Sequence, residues 1–165
     1  MKKLERITTE YIEAEDRIRL CGEVASGVPV VIWLTQRLLQ RLLPALLRVL
    51  EGNSADVHHA EALQGFAQQV ARAELKPQVP VQAGAGSAAW VALSVDIATS
   101  AQAVSLIFRD ADGQAAMLML EATPLRQWLG ILHDLYVKAE WPCDVWPGWT
   151  REGALLATGL SAVLH

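Results

Sequence analysis

The stretch "VPVVIWLTQRLLQRLLPALLRVLEG", residues 28–52, joins a strand pattern directly to a helical pattern. Its opening "VPVVIWL" is apolar at successive positions, which is typical of a strand covered on both faces. After Thr35, a suitable N-cap, leucines recur at the spacing of one apolar helical stripe. Gly52 follows as a C-terminal stop. A buried strand that runs straight into an amphipathic helix indicates a sheet with helices packed on it.

The residues on either side add strands before this stretch and a second helix after it. Alternation in "ERITTEYIE" (5–13) and "RIRLCGEV" (17–24) predicts two strands. A second helical pattern follows Gly52, and together the two helices predict a helical hairpin over about 35–75. In the second helix we expect four apolar residues at helical spacing to face inward: Leu63, Phe66, Ala67 and Val70.

A connector rich in proline and glycine, residues 76–88, leads into a second set of patterns. Three strands are predicted there, namely "AAWVALSVDIA" (88–98), "AVSLIFRD" (103–110) and "QAAMLMLE" (114–121), the last two joined by the turn "DADG". Thr123 as N-cap and Pro124 at the first helical position predict a helix over about 124–140. Residues 151–165 fit either a strand or a helix, and the two glycines favour a strand.

These patterns predict an α+β fold with one domain over 1–165. We expect an antiparallel sheet or sandwich of six to seven strands, with the helical hairpin inserted and the later helix packed on it. The domain has three predicted parts. Residues 5–75 form strands and the helical hairpin, and residues 76–88 form the connector. Residues 89–165 form further strands, a helix and a C-terminal segment rich in tryptophan and proline. Only 19% of the 165 residues are charged and 52% are hydrophobic, against about 25% charged in ordinary soluble domains. We therefore expect part of the surface to be covered in an oligomer.

The charge and the cysteine content of the chain indicate its cellular compartment and disfavour some classes of partner. Cys21 and Cys143 lie far apart and form no CxxC motif, which favours free thiols in a reducing compartment. No apolar run approaches the roughly 20 residues of a membrane span, and the start lacks the apolar run of a secretory signal. The net charge of −4 disfavours nucleic acid and anionic membranes as partners. We expect a cytoplasmic protein.

The candidates for chemistry lack the residues that would complete them. His58 and Glu61 share a helix face and would supply one side of a metal site, but no second pair supplies the remaining ligands. Cys143 with His133 and Asp144 has the residue types of a nucleophilic site, yet nothing in the sequence marks a lowered thiol pKa. We therefore predict no catalytic residue, no metal and no cofactor.

The order of elements from 5 to 140 is a hairpin, a third strand, a helical hairpin, three strands and a long helix. "VVIWLTQRLLQRL" (30–42) enters the helical pair and "QAAMLMLEATPLRQWL" (114–129) leaves the last strand. In this order the chain resembles the head domains of DNA end-joining and centriolar cartwheel scaffold proteins. Those are β-sandwiches that carry an inserted helix-turn-helix and lead into a dimerising helix. The resemblance implies a homodimeric or scaffold module.

Two apolar features are candidates for partner contact. In "WPCDVWPGW" (141–149), Trp141 is expected to close the core, whereas Trp146 and Trp149 belong to no helix or strand that would turn them inward. Met117 and Met119 share one face of the last strand. The sequence favours a non-catalytic cytoplasmic interaction or scaffold module whose partner is a second copy or another protein. The alternative is a ligand-binding or enzymatic domain with a pocket near the C-terminal tryptophans.

Overall fold

The computed structural model describes residues 1–25, 27–52 and 57–151, with the side chains of Val57 and His58 left out. Apart from Arg151, the C-terminal segment predicted as strand or helix lies outside the described residues. The described strands are β1 (Lys2–Ile12), β2 (Arg17–Val24), β3 (Val30–Leu34), β4 (Ala89–Val91), β5 (Ser94–Thr99), β6 (Ala103–Arg109) and β7 (Ala115–Glu121). The long helices of the same ranges are α1 (Gln36–Glu51), α2 (Val57–Glu74) and α3 (Ala122–Ala139). The predicted α+β fold in one domain, with an inserted helical pair, is confirmed.

The strands form one curled sheet in the order β4-β3-β2-β1-β7-β6-β5. The sheet was expected to be antiparallel, but it is mixed, because β1 pairs with β7 in parallel and β3 pairs with β4 in parallel. The other neighbours are antiparallel. The first strand therefore lies in the middle of the sheet, between its hairpin partner β2 and the last strand.

The segment predicted as one strand over 88–98 is divided between the two edges of the sheet. The N–H of Ala92 donates to the carbonyl of Trp33 in β3 at 3.0 Å, and the next N–H, of Leu93, donates to the carbonyl of Arg109 in β6 at 2.8 Å. The chain thus changes neighbours from one residue to the next. The sheet curls until its two edges meet at this point, which gives a half-barrel.

Helix α1 fills one part of the inner face of the curled sheet, and its predicted features are confirmed. The Thr35 hydroxyl accepts from the N–H of Leu38 at 3.1 Å, which satisfies one donor of the first turn. Gly52 ends the helix with φ at 61°, a conformation that glycine adopts at low cost. The inward leucines are buried in the main core: Leu39, Leu42, Leu43, Leu46 and Leu47.

Helix α3 crosses the same inner face beside β1 and β7. It begins two residues earlier than predicted, at Ala122, and the residue at its N-cap is Glu121, whose side chain makes no capping bond. Five residues on one side of the helix are buried in the core: Leu125, Trp128, Leu129, Leu132 and Tyr136. The Trp128 indole donates to the hydroxyl of Thr9 in β1 at 3.1 Å, which fixes the helix against the strand.

The connector is ordered along the outer face of the sheet. The N–H of Val81 donates to the hydroxyl of Thr8 at 2.8 Å. The Val81 side chain is buried with Cys21 and Val31 in a small second cluster, partly covered by Trp33. The connector therefore covers part of the sheet surface that the helices leave open.

Candidate interaction surface

Helix α2 packs against α3 through its polar side. Gln64, Gln68 and Arg72 are spaced four residues apart and lie along one side of the helix. The Gln68 amide donates to the carbonyl of Arg126 at 2.8 Å, and the Gln64 side-chain oxygen accepts from the Arg126 guanidinium at 2.5 Å. We call this contact, with Arg72, the polar seam.

Arg72 extends the polar seam toward the C-terminal end of α2. Its guanidinium lies 3.3 Å from a carboxylate oxygen of Asp134 and donates to the carbonyl of Gly130 at 3.3 Å. A Cβ atom on Gly130 would lie 3.2 Å from the central carbon of that guanidinium, so the absence of a side chain makes room for the arginine. Polar groups of α3 thus hold the polar side of α2 inward.

The apolar side of α2 consequently faces outward. Leu63 is 56% exposed, Phe66 is 67% exposed and Val70 is 38% exposed. The expectation that these three residues face inward is wrong, because helical spacing separates an apolar side from a polar side without saying which one meets the protein. The contacts between α2 and α3 decide the orientation. We call Leu63, Phe66 and Val70 the α2 stripe.

The two methionines proposed for partner contact lie on the outer face of β7. Leu118 and Leu120 on the opposite face are buried, whereas Met119 is exposed and Met117 is partly covered. Met119 also borders a cavity of about 650 Å³ whose other walls include Leu75, Pro77 and Trp128. Met119 is therefore accessible to a partner, and Met117 is accessible only in part.

The three C-terminal tryptophans are all buried in the main core. The Tyr136 ring meets Trp141 and Trp146 edge to face, with centroids 5.1 and 5.4 Å away. The Trp149 indole donates to the Glu51 carboxylate at 3.2 Å. Trp141 closes the core as expected. The expectation of partner contact for Trp146 and Trp149 does not agree with their burial, because both rings pack inside the core of this chain and are not accessible to a partner.

A small cavity of about 220 Å³ borders Trp149. Its walls include Glu51, Glu61 and Gln64, but Trp141 and Trp146 do not line it. Ligand pockets usually measure about 300–1,000 Å³ and are mostly apolar. The cavity at Trp149 is thus smaller than the usual ligand pocket, and the alternative function stays a prediction.

The described hydrogen bonds do not join the residues considered for chemistry, Cys143, His133 and Asp144. The Cys143 thiol donates to the carbonyl of Trp141 at 3.5 Å, and the His133 ring packs against Trp146 with centroids 5.0 Å apart. Burial lowers the pKa of His133, and the positive charges of Arg72 and Arg151 lower it further. No hydrogen bond joins Cys143 to His133 in the described ranges.

The proposed metal pair is tested only in part. The side chain of His58 lies outside the described residues, and Glu61 is exposed. Over the residues whose placement is described, no group of three or more histidine, cysteine, aspartate or glutamate side chains is arranged to hold a metal ion.

No protein-family model, curated protein or solved structure matched the chain. The resemblance in element order therefore remains a prediction. None of the helices in the described part of the chain has the length and apolar character needed to cross a membrane. The α2 stripe exposes three apolar residues together on one helix side, which is the pattern expected of an interaction surface.

Proposed function

We propose that this protein is a non-catalytic interaction module that forms a homodimer through the α2 stripe. The observation that carries the proposal is the reversed orientation of α2, whose polar side is bound to α3 while its apolar side faces outward. Covering exposed apolar groups on one helix side with a partner removes them from water, which lowers the free energy of the complex. The two free cysteines support a cytoplasmic location for such a module. The low charged fraction supports burial of part of the surface in an oligomer.

The spacing of the α2 stripe favours a second copy as the partner. Leu63 and Val70 lie on either side of Phe66, at nearly equal distances along the helix. Two antiparallel copies of α2 related by a two-fold axis near Phe66 would place Leu63 of one copy against Val70 of the other. Ala62 and Ala73 are also exposed on this helix and carry no charge. A self-complementary patch of this kind is what a two-fold dimer interface requires.

Phe66 is expected to contribute most to the interface. A phenylalanine side chain buries about 150–250 Å² when it is fully covered, and 67% of Phe66 is exposed. About 100–170 Å² per copy is thus available, worth roughly 2.5–4 kcal/mol at about 25 cal/mol per Å². The substitution Phe66→Ser removes this contribution from both copies, so we expect the dimer dissociation constant to rise at least about 100-fold.

Sedimentation velocity over a range of concentrations tests the proposal. The wild-type chain is expected to be a dimer at micromolar concentration, and Phe66→Ser is expected to be a monomer with an unchanged far-UV circular dichroism spectrum. Because dimerisation stabilises the folded state, the melting temperature of the wild type should depend on protein concentration, and that of Phe66→Ser should not. Val137→Ser is the matched control, because Val137 is 62% exposed on α3 and lies outside the α2 stripe. A wild-type monomer at micromolar concentration, or equal weakening by both substitutions, would show that α2 does not form a dimer interface.

A further inference from the structure

A groove separates the beginning of α1 from the edge strand β5. It has a volume of about 410 Å³, and its apolar walls include Leu38 and Leu42 from α1 and Val95 and Ile97 from β5. In the register with β6, Val95 lies opposite Phe108 and Ile97 lies opposite Leu106, both of which are core residues. The groove therefore opens onto the inner face of the sheet, along its free edge.

The backbone of β5 has unpaired groups along that edge. β5 has β6 as its single neighbour in the sheet of described strands. The N–H of Ser100 donates to the carbonyl of Ala103 at 2.9 Å, which sets the phase of the β5–β6 ladder. Since bonded and non-bonded pairs alternate in an antiparallel ladder, the backbone N–H and C=O groups of Val95 and Ile97 point away from β6. An exposed edge of this kind can accept a further strand.

Two arginines that line the groove carry positive charge without an ion-pair partner in the part of the chain that the structure describes. Arg37 and Arg41 are exposed on α1, one helical turn apart, and neither takes part in an ion pair among the described residues. Like charges at this spacing repel, and a positive charge in the first turn opposes the helix dipole. The first turn of α1 contains no acidic residue. A negatively charged partner would relieve both unfavourable interactions.

The acidic residue of β5 does not neutralise these arginines. Asp96 forms an ion pair with Arg109 at 2.7 Å. Its side chain alternates with those of Val95 and Ile97, so it lies on the outer face of the sheet, away from the groove. The groove thus combines an open strand edge, apolar walls and uncompensated positive charge on a chain whose net charge is −4.

We infer that this groove binds an extended acidic segment of another protein, which adds to β5 as a further strand. Alternate apolar side chains of the segment would contact Leu38 and Leu42, and its carboxylates would reach Arg37 and Arg41. The inference concerns different residues from the α2 stripe. One surface can therefore fail its test while the other passes.

Fluorescence anisotropy with a labelled synthetic peptide of alternating glutamate and valine tests the inference on the full chain. A twin peptide with lysine in place of glutamate is expected to bind more weakly than the glutamate peptide. The double substitution Arg37→Glu with Arg41→Glu is expected to weaken the glutamate peptide at least about tenfold and to strengthen the lysine peptide. Arg48→Glu is the matched control, because Arg48 is exposed on the same helix but does not line the groove.

Two further measurements separate strand addition from other causes of binding. A glutamate peptide with N-methyl groups on alternate backbone nitrogens cannot complete the ladder, so its binding should be lost. Phe66→Ser should bind the peptide as the wild type does. The inference is overturned if both peptides bind equally, if Arg48→Glu weakens binding as much as the double substitution, or if N-methylation has no effect. It is also overturned if the double substitution changes self-association rather than peptide binding, because the occupant would then be a second copy.

Discussion

Replacing Tyr136 by phenylalanine tests the packing around the tryptophans, because this packing decides whether the free energy of unfolding rises or falls. Tyr136 is fully buried on α3, and its ring makes edge contacts with Trp141 and Trp146. Its hydroxyl has no hydrogen-bond partner among the described residues. Burial raises the pKa of Tyr136, as expected for a phenol whose charged form has lost its solvation.

The substitution Tyr136→Phe removes the unpaired hydroxyl and keeps the ring. A buried polar group without a partner costs about 1–3 kcal/mol, and part of this is offset by the small space that the oxygen leaves. We therefore expect the free energy of unfolding to rise by about 1 kcal/mol, which in a domain of this size raises the melting temperature by about 2–4 °C. Urea unfolding followed by tryptophan fluorescence measures the change.

Tyr11→Phe is the matched control with the opposite sign. The Tyr11 hydroxyl donates to the Asp16 carboxylate at 2.7 Å, and this bond is the largest of the causes that raise the pKa of Tyr11 to about 12. Losing it should lower the melting temperature. If Tyr136→Phe instead lowers the free energy of unfolding by more than about 1 kcal/mol, the hydroxyl has a partner and the account of this cluster is wrong.

Two other predictions concern buried titratable groups. Because the pKa of His133 is lowered in the folded chain, the unfolded chain takes up its proton first. The contribution of neutral His133 to the free energy of unfolding is fully present above the ordinary histidine pKa, near 6.5. As the pH drops below this value, the free energy of unfolding falls by at most about 1.4 kcal/mol per pH unit. Urea titrations between about pH 5 and 7 should show this slope, and His133→Phe should remove it. Burial raises the pKa of Cys21, so alkylation of Cys21 should be slow in the native chain. Val81→Gly should speed it by opening the connector, whereas unchanged labelling, with Cys143 as the internal reference, would show that the connector does not protect Cys21.

The parts of the fold that depend on local pattern were predicted well from the sequence. In α1 the leucine spacing, the Thr35 cap and the Gly52 stop all act within a few residues, and the structure has all three. The turn at Gly113 has φ at 89°, as "DADG" indicates. Such features depend on neighbouring residues, which the sequence shows directly.

The parts that depend on distant contacts were not predictable in the same way. An alternating pattern does not name the neighbours of a strand, so the division at Ala92 and Leu93 left no local sign apart from the absence of alternation there. The orientation of α2 depends on backbone carbonyls of α3 that accept from Gln68 and Arg72. The four-residue spacing of Gln64, Gln68 and Arg72 was the signal for a polar contact, although it did not identify the partner.

The central position of β1 constrains how the chain can be made. On the ribosome, β1, β2 and β3 emerge early and can pair, but the other edge of β1 pairs at Leu4 with Leu118, which is synthesised 114 residues later. Until β7 emerges, the nascent chain presents half a sheet with an open edge, which is prone to pair with other chains. Closing so long a loop is also entropically costly and slow. Completion of the sheet is therefore a late step that follows synthesis of β7.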